Sequence, residues 1–286
     1  MRRTWCTVAL LTVASWGVLG GCKSSTRQDP LLSLSATESL TQGKSFLAKE
    51  KYTRARPFLL HAFEVEPNSL NGREALLLAA DTFYLEGGKT NFLQAEAKYR
   101  DFLNRFPTSD RAAYAQFQVG SSLARRMERP DRDQSTARKA LEAFEDLIRL
   151  YPTSEYAAQA REQVRLVRDN LAEHEFQVAR FYLLVFKIPE ATVQRLEHLF
   201  QSFPDYTAKD KAYLYLGRGY AQTGDFEKAD KTFARLESQF PDSPQIKELP
   251  AARKEMAAFQ KLFARGKAQQ QQQPQKPPKE EEVATP

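Results

Sequence analysis

A double spacing of twelve residues organises the stretch from Asp210 to Pro241, which we call the reference repeat. Gly217, Ala229 and Pro241 lie twelve residues apart. In a helix–turn–helix, the two small residues would fall where the helices cross, and the proline where the second helix must end, because it lacks the N–H that a helix needs. The buried faces are supplied by apolar residues at helical spacing, namely Tyr213, Leu216, Tyr220, Phe226, Phe233 and Leu236.

The same spacing recurs through the rest of the chain. Gly43, Ala55 and Pro67 repeat the double step. Single steps from an alanine to a proline lie at Ala95–Pro107, Ala140–Pro152 and, one residue longer, Ala191–Pro204. A unit of about 34 residues with this pattern is typical of the tetratricopeptide repeat, or TPR. We therefore predict an all-α fold, a right-handed superhelix of about five TPR-like helix–turn–helix repeats over residues 36–250. An ordinary helical bundle without repeats is the alternative.

Three segments depart from the regular spacing. In repeat two, Glu86–Asn91 predicts a longer turn than a TPR has. In repeat three, Gly120 and Ala140 lie twenty residues apart instead of twelve, and the extra residues fall in the charged stretch Arg125–Thr136, which predicts an exposed loop. Repeat four predicts one long or broken helix over Glu155–Phe186, nearly twice the length of a first TPR helix.

The N-terminal segment has the layout of a secretory signal peptide. Positively charged Met1-Arg2-Arg3 precedes an apolar run from Trp5 to Val18, and Leu19-Gly20-Gly21-Cys22 ends the segment. A leucine, two small residues and a cysteine resemble the bacterial lipobox, in which the cysteine is acylated and becomes the first residue of the mature protein. The sequence therefore predicts a lipoprotein signal peptide over residues 1–21. A retained membrane helix and a plain secreted protein are the alternatives.

The predicted membrane anchor is a covalent lipid on Cys22, and no other cofactor is expected. After the signal peptide the chain has no apolar run long enough to span a bilayer, so the acyl chains would supply the attachment. Lys23 follows the cysteine at a place where aspartate tends to retain lipoproteins on the inner membrane. We therefore expect the protein on the periplasmic face of the outer membrane, with residues 22–35 as a polar tether.

Two segments follow the repeats. Residues 251–265 predict an amphipathic helix that caps the open end of the superhelix. Its apolar side consists of Met256, Phe259, Leu262 and Phe263. Residues 266–286 combine a glutamine run, several prolines and the acidic run Glu280–Glu282. This composition cannot bury a core and predicts a disordered tail.

The end of the charged insert, Asp131-Arg132-Asp133, is a candidate binding site with two interpretations. Asp133 can cap the helix that follows, since a carboxylate accepts hydrogen bonds from free amides at the positive end of the helix dipole. Alternatively, Asp131, Arg132 and Asp133 contact a partner. Composition alone favours the cap, because exposed charge runs are mostly solvated faces or caps.

A specific residue pattern occupies the centre of the chain. It comprises Asp131-Arg132-Asp133, Ala137-Arg138, Ala140, Phe144, Leu147, Tyr151-Pro152, Ser154, Leu171-Ala172, Glu175, Val178-Ala179 and Phe181-Tyr182. This pattern resembles the BamD family, the lipoprotein subunits of the machine that assembles outer-membrane β-barrels. With the lipobox and the repeats, the resemblance covers residues 22–243. It departs at Lys187-Ile188-Pro189, where the family usually turns through a glycine.

The resemblance implies a lipid-anchored scaffold subunit of the outer-membrane protein assembly (BAM) complex. The implied partners are the periplasmic domains of the BamA-type barrel subunit, with unfolded outer-membrane proteins as candidate substrates. A pilotin-type TPR lipoprotein that assists secretin assembly is the alternative, because it would share the anchor and the repeats.

Three more residues are candidate partner contacts. Arg195 lies on the second helix of repeat four, where the reference repeat has an aromatic residue. Either its stem covers apolar surface while its head stays in water, or, as the resemblance implies, it contacts the central barrel subunit. Tyr215 and Arg218 point away from the predicted core face of the reference repeat and could line a concave binding surface. An ordinary solvated helix face is the other interpretation of both.

The sequence favours a binding protein over an enzyme. No G-x-S-x-G, P-loop or H-E-x-x-H motif occurs. The three histidines are far apart and no Cys-x-x-Cys exists, so no metal site is expected. The formal net charge of +6 is spread along the chain, whereas nucleic-acid binding requires a clustered basic surface. A lipid-anchored cell-wall hydrolase is the rival from another class, which hydrolysis of purified peptidoglycan would reveal.

Overall fold

The computed structural model describes residues 30–271, and all regular structure in this range is helical. The predicted signal peptide, Cys22 and the segment after Gln271 lie outside the described residues. Within the described range, none of the helices combines the length and the apolar character needed to cross a membrane. The α-helices are α1 Ala36–Ala48, α2 Tyr52–Val65, α3 Leu70–Glu86, α4 Lys89–Arg105, α5 Ala112–Ala124, α6 Ser135–Leu150, α7 Tyr156–Phe181, α8 Pro189–Ser202, α9 Lys209–Thr223, α10 Phe226–Gln239 and α11 Leu249–Gln271.

Consecutive helices pack against each other along the whole series, from α1 on α2 to α9 on α10. The first helix begins at Ala36, because Ser35 and Glu38 form a capping box in which each side chain accepts from the other's backbone amide. Five helix pairs follow in order, α1–α2 to α9–α10. This architecture confirms the predicted all-α, TPR-like superhelix.

Glycines at the helix crossings explain the twelve-residue spacing. In repeat five, a Cβ on Gly217 would lie 2.3 Å from Cε1 of Phe233, and in repeat three a Cβ on Gly120 would lie 2.6 Å from Cε1 of Phe144. Both phenylalanines are fully buried. Because the glycine has no side chain, the two helices can approach closely. The phenylalanine ring of the facing helix then fills the space that a larger residue would need.

The turn in repeat two is shorter than the sequence suggests. The helix α3 ends at Glu86 and α4 begins at Lys89, so that Gly87 and Gly88 alone separate them. Both glycines have positive φ, +75° and +91°, which lets the chain reverse within two residues. The prediction of a long turn was wrong because the additional residues extend the helices instead.

Both ends of the described chain differ from the predicted boundaries. Pro30–Ser33, inside the predicted tether, forms a 3₁₀ turn, and the ring Nε2 of His61 lies 3.2 Å from the carbonyl oxygen of Leu34. At the other end, α11 starts at Leu249 and continues to Gln271. Residues 266–271, predicted to be disordered, are therefore helical, since alanine, lysine and glutamine favour a helix and the next proline is Pro274.

The long helix α7 belongs to two hydrophobic cores. Of the long or broken helix predicted over Glu155–Phe186, the structure shows the long form, an α-helix of 26 residues that continues as a five-residue π-helix over Tyr182–Phe186. Its first half, including Val167 and Leu171, packs in a core shared with α3–α6. Its second half, including Phe176, packs in a core shared with α8–α11. The change between cores falls between Leu171 and Ala172.

Candidate partner-binding surface

The insert of repeat three is a short loop, Arg125–Gln134, held against the rest of the protein. Gln134 is buried, and its side-chain amide donates to the carbonyl oxygens of Arg129 (2.8 Å) and Arg132 (3.0 Å). The ring Nδ1 of His174, on α7, lies 2.6 Å from the carbonyl oxygen of Pro130. Because polar contacts tie its backbone to itself and to α7, the loop presents its exposed side chains from a fixed position.

Asp133 forms hydrogen bonds with the first residue of the helix that follows it. Its carboxylate accepts hydrogen bonds from the hydroxyl of Ser135 and from the Ser135 backbone amide (3.1 Å), at the first residue of α6. These two bonds, the side-chain one first, hold the pKa of Asp133 below its usual value. Asp133 therefore contacts the start of α6 but is not its N-cap residue, which is Gln134 and makes no side-chain cap hydrogen bond. Asp131 and Arg132 are exposed, and Asp131 pairs with Arg129 at 3.1 Å.

A groove of about 810 Å³, which we call the α7 groove, separates the insert loop from α9. The second half of α7 forms its floor. Its lining includes Arg129, Pro130 and Asp131 from the loop, Glu173, His174, Phe176, Gln177, Arg180 and Phe181 from α7, and Lys211 and Tyr215 from α9. Two of the sequence-predicted residues, Asp131 and Tyr215, thus lie on opposite sides of the same groove.

Polar contacts fix the α9 side of the α7 groove. Glu173 accepts from the hydroxyl of Tyr206 and pairs with the Nζ of Lys211 at 3.2 Å. Burial and this bond to Glu173 raise the pKa of Tyr206, so the phenol stays a hydrogen-bond donor. Across the groove, Nε of Arg180 donates to the hydroxyl of Tyr215 at 3.2 Å. The groove therefore combines apolar side chains, such as Phe176 and Phe181, with positive, negative and neutral hydrogen-bonding groups.

Arg218 and Arg195 lie outside the α7 groove. Only 15% of the Arg218 side chain is exposed, because it pairs with Glu248 at 3.2 Å and Glu255 at 3.5 Å beside the capping helix α11. The prediction that Arg218 lines an open surface does not fit this burial. Arg195 joins α8 to α7 through Glu175 at 2.9 Å and lies 5.5 Å from the ring centroid of Tyr182. It keeps 40% of its side chain exposed and lines a separate groove along α7 and α8.

An exposed apolar patch, not predicted from the sequence, continues from the end of α7. It consists of Phe181 (48% exposed), Leu184 (41%), Val185 (58%), Phe186 (57%) and Ile188 (43%). A possible signal was the run of six consecutive apolar or aromatic residues from Phe181 to Phe186, because one helix can bury only one face. Large contiguous apolar surfaces mark interaction sites. Phe181 and Leu184 also reach the α7 groove, so the patch and the groove are continuous.

The patch ends at an unusual turn. Lys187 has φ +57° and ψ +41°, the left-handed conformation that glycine adopts most easily. Its backbone amide nevertheless closes the π-helix by donating to the carbonyl of Tyr182, and Pro189 begins α8. The chain therefore adopts at Lys187 a left-handed backbone conformation that a glycine would adopt at lower cost.

Comparisons with known proteins agree with these features. A family model described as outer membrane lipoprotein (YfiO) matches residues 33–224, and a tetratricopeptide repeat model matches residues 211–243. The outer membrane protein assembly factor BamD of Haemophilus influenzae is 27% identical over 267 residues, which cover 86% of this chain and 98% of the relative. BamD of Rickettsia prowazekii is 28% identical over 243 residues, which cover 85% and 94%.

Among solved structures, the TPR2AB domain complex of yeast Sti1 is 14% identical and covers 82% of this chain and 95% of its own, with a TM-score of 0.43. The family match rests on sequence. Since the YfiO model spans more than half of the chain, and the BamD relatives align over nearly their whole length, this protein belongs to the BamD (YfiO) family of outer membrane lipoproteins.

Proposed function

We propose that this protein is a lipid-anchored scaffold subunit of the machine that assembles outer-membrane proteins. The observation that carries the proposal is the match to BamD assembly factors over almost the whole chain. The lipid on Cys22 would attach the protein to the periplasmic face of the outer membrane, and the helical repeats would hold partners by binding rather than by catalysis.

The apolar patch and the α7 groove support a role in binding other proteins. The patch places five large apolar side chains in water, and the groove beside it adds a charged rim. An apolar centre surrounded by polar groups is the usual anatomy of a protein–protein interface. We assign this surface to the periplasmic domains of a BamA-type barrel subunit.

Arg195 extends the proposed contact onto α8. Its guanidinium is already oriented by Glu175, and 40% of the side chain remains exposed. A partially exposed arginine held in one orientation suits an interface, because little conformational entropy remains to be lost on binding. Unfolded outer-membrane proteins would be a second class of partner, held in the α7 groove as extended segments.

The test is a mild-detergent purification from cells that carry a C-terminal tag and an unaltered Cys22. A BamA-type barrel protein should co-purify in stoichiometric amount. The double variant V185S/F186S should reduce this yield at least tenfold, because it removes the two most exposed apolar side chains of the patch. The matched control is L93S/L150S, which changes two leucines that are 51% and 53% exposed on α4 and α6.

Other outcomes would contradict the proposal. A secretin in place of the barrel protein would favour the pilotin function. Equal losses in V185S/F186S and L93S/L150S would show that the patch has no special role in binding. Release of peptide or sugar fragments from purified peptidoglycan by the mature protein would identify a hydrolase instead.

A further inference from the structure

Three exposed aliphatic side chains lie at the end of repeat one where the described chain begins. Leu32 lies in the 3₁₀ turn before α1, Val65 is the last residue of α2, and Leu70 is the first residue of α3. Leu70 is 82% exposed, Leu32 67% and Val65 46%. Leu70 and Leu32 are the two most exposed large apolar residues in the part of the chain that the structure describes. We call the three residues the N-terminal apolar edge.

Polar contacts hold the elements that carry the N-terminal apolar edge together. The side-chain amide of Asn71 donates to the hydroxyl of Thr37 at 3.0 Å, which joins the start of α3 to the start of α1. The contact between His61 and the carbonyl oxygen of Leu34 joins the segment after the 3₁₀ turn to α2. The start of α1, the end of α2 and the start of α3 therefore form one end of the repeat, at which the edge has a fixed position.

The predicted site of lipid attachment is close to this edge along the chain. Residues 23–29 alone separate Cys22 from Pro30, where the 3₁₀ turn begins. These eight steps span at most about 29 Å when the chain is fully extended. An acylated Cys22 would lie at the membrane surface, so the 3₁₀ turn would stay within about 29 Å of the bilayer. The N-terminal apolar edge is therefore the first apolar surface of the repeats that can reach the lipid.

We infer, on the basis of the lipid anchor in the proposed function, that the N-terminal apolar edge contacts the bilayer itself. Leu32, Val65 and Leu70 would insert among the headgroups of zwitterionic phospholipids. Apolar side chains that are exposed to water gain free energy when they enter the boundary between headgroups and acyl chains. The lipid anchor favours this contact, because it holds the edge at a high effective concentration beside the surface. A second point of contact would also set the orientation of the repeats on the membrane.

The charges beside the edge indicate which lipids fit it. Glu64 and Glu66 flank Val65 in the sequence and are both exposed, whereas the carboxylate of Glu38 is held in the capping box of α1. Exposed carboxylates repel anionic phospholipids. They can accept hydrogen bonds from the ammonium group of phosphatidylethanolamine. The contact should therefore be strongest on vesicles of phosphatidylethanolamine and phosphatidylcholine, and it should weaken when phosphatidylglycerol is added.

Fluorescence quenching in the mature, acylated protein tests the inference. The cysteines of the chain are Cys6 and Cys22, so a cysteine introduced at position 70 would carry the one free thiol after processing. The variant L70C, labelled with a nitrobenzoxadiazole dye, would be reconstituted into vesicles that contain phosphatidylcholine brominated in its acyl chains. Bromine should quench this dye several-fold more than the dye on L93C. Leu93 is the matched control, because it is 51% exposed and lies near the start of α4, at the other end of its repeat.

Further variants should change the quenching at L70C in opposite directions. Adding L32S/V65S should lower it several-fold, because the other two apolar side chains of the edge are lost. Adding L85S/L150S should leave it unchanged, since these two leucines, each 53% exposed, lie elsewhere in the repeats. On vesicles that contain phosphatidylglycerol, E64Q/E66Q should restore the quenching, because it removes the repelling charges.

Flotation of the vesicles in a density gradient distinguishes failure of the anchor from failure of the inference. A protein that does not float with the vesicles has no lipid anchor, which would overturn the anchor and the membrane contact together. A protein that floats but shows equal quenching at L70C and L93C would overturn the membrane contact alone. Rapid disulfide dimerisation of unlabelled L70C in detergent, without dimerisation of L93C, would assign the edge to a second copy of the chain and overturn it as well.

Discussion

Repeats four and five have the same plan and differ in how fully they bury their apolar residues. In repeat five, Phe233 is fully buried against Gly217, and Asp225 caps the second helix. In repeat four, the first helix is much longer than a TPR helix and ends in a π-helix, and α8 begins without a side-chain cap. The regular repeat encloses its apolar residues, whereas the irregular one leaves five of them in water. We conclude that regularity stabilises the superhelix and that its interruption creates the exposed apolar surface to which we assign partner binding.

The largest expected contrast is between two phenylalanines. Phe233→Ala should lower the free energy of unfolding by about 3–5 kcal/mol, because it empties a fully buried site. Phe186→Ala should change it by less than about 1 kcal/mol, since that ring is 57% exposed. Urea unfolding followed by circular dichroism measures both. Similar losses in the two variants would show that the patch is part of the core.

The close helix crossing in repeat five should tolerate no added volume. Gly217→Ala should lower the free energy of unfolding by about 1–3 kcal/mol, because the new methyl group would lie 2.3 Å from the Phe233 ring. Gly266→Ala is the matched control, since a Cβ at that position on α11 meets nothing within 4 Å. The control should be neutral or slightly stabilising, and a neutral Gly217→Ala would contradict the packing argument.

The helix cap in repeat five should give a pH-dependent contribution. Burial alone would raise the pKa of Asp225, but the Lys228 backbone amide and side chain outweigh this effect and lower it. A lowered folded pKa means that the stabilisation is fully present above the ordinary aspartate pKa, about 3.9, and decreases as the pH falls through the folded pKa. Asp225→Ala should therefore lower the free energy of unfolding by about 1 kcal/mol at pH 7 and by less near pH 2.5.

Asp225→Asn controls for this test, because the amide keeps the capping oxygen but does not titrate. Its effect on the free energy of unfolding should be small and similar at both pH values. An equal loss for Asp225→Ala at pH 7 and pH 2.5 would mean that the carboxylate charge contributes nothing.

The smallest expected effect on stability concerns the ion pair of repeat four. A double-mutant cycle with Arg195→Ala and Glu175→Ala should give a coupling energy of about 0.5–1 kcal/mol, since the arginine is 40% exposed. The effect on co-purification of the proposed barrel partner should be larger, at least fivefold for Arg195→Ala. A coupling energy above 2 kcal/mol with unchanged co-purification would assign Arg195 a purely structural role.

The regular part of the fold was predictable because its signals are local. Within one repeat, a small residue marks the helix crossing (Gly217), an aromatic residue marks the buried face (Phe233) and a proline marks the helix end (Pro241). The length of the helical segment in repeat four and the loop in the insert of repeat three were predictable for the same reason. The two-residue turn at Gly87-Gly88 was missed, because the spacing cannot tell a longer turn from longer helices.

The candidate site was harder to predict, because it depends on contacts between distant parts of the chain. The Arg218 side chain is covered through Glu248 and Glu255, which lie 30 or more residues later in the sequence. Phe186 stays 57% exposed because none of the described helices fully covers the end of α7. Neither fact is contained in the local sequence pattern. The sequence therefore treated Tyr215 and Arg218 alike, whereas the structure places only Tyr215 in the α7 groove.

Because α7 is shared by the two hydrophobic cores, it affects how the protein unfolds. In an ideal repeat array each unit contacts only its neighbours, and unfolding can proceed from an end one repeat at a time. Here a rigid rod about 39 Å long contributes residues to both cores. Loss of either core would leave half of the rod without partners, so fraying from one terminus should stop at α7. The two halves are then expected to melt as one cooperative unit, which keeps the proposed binding surface on α7 intact until the whole centre of the molecule unfolds.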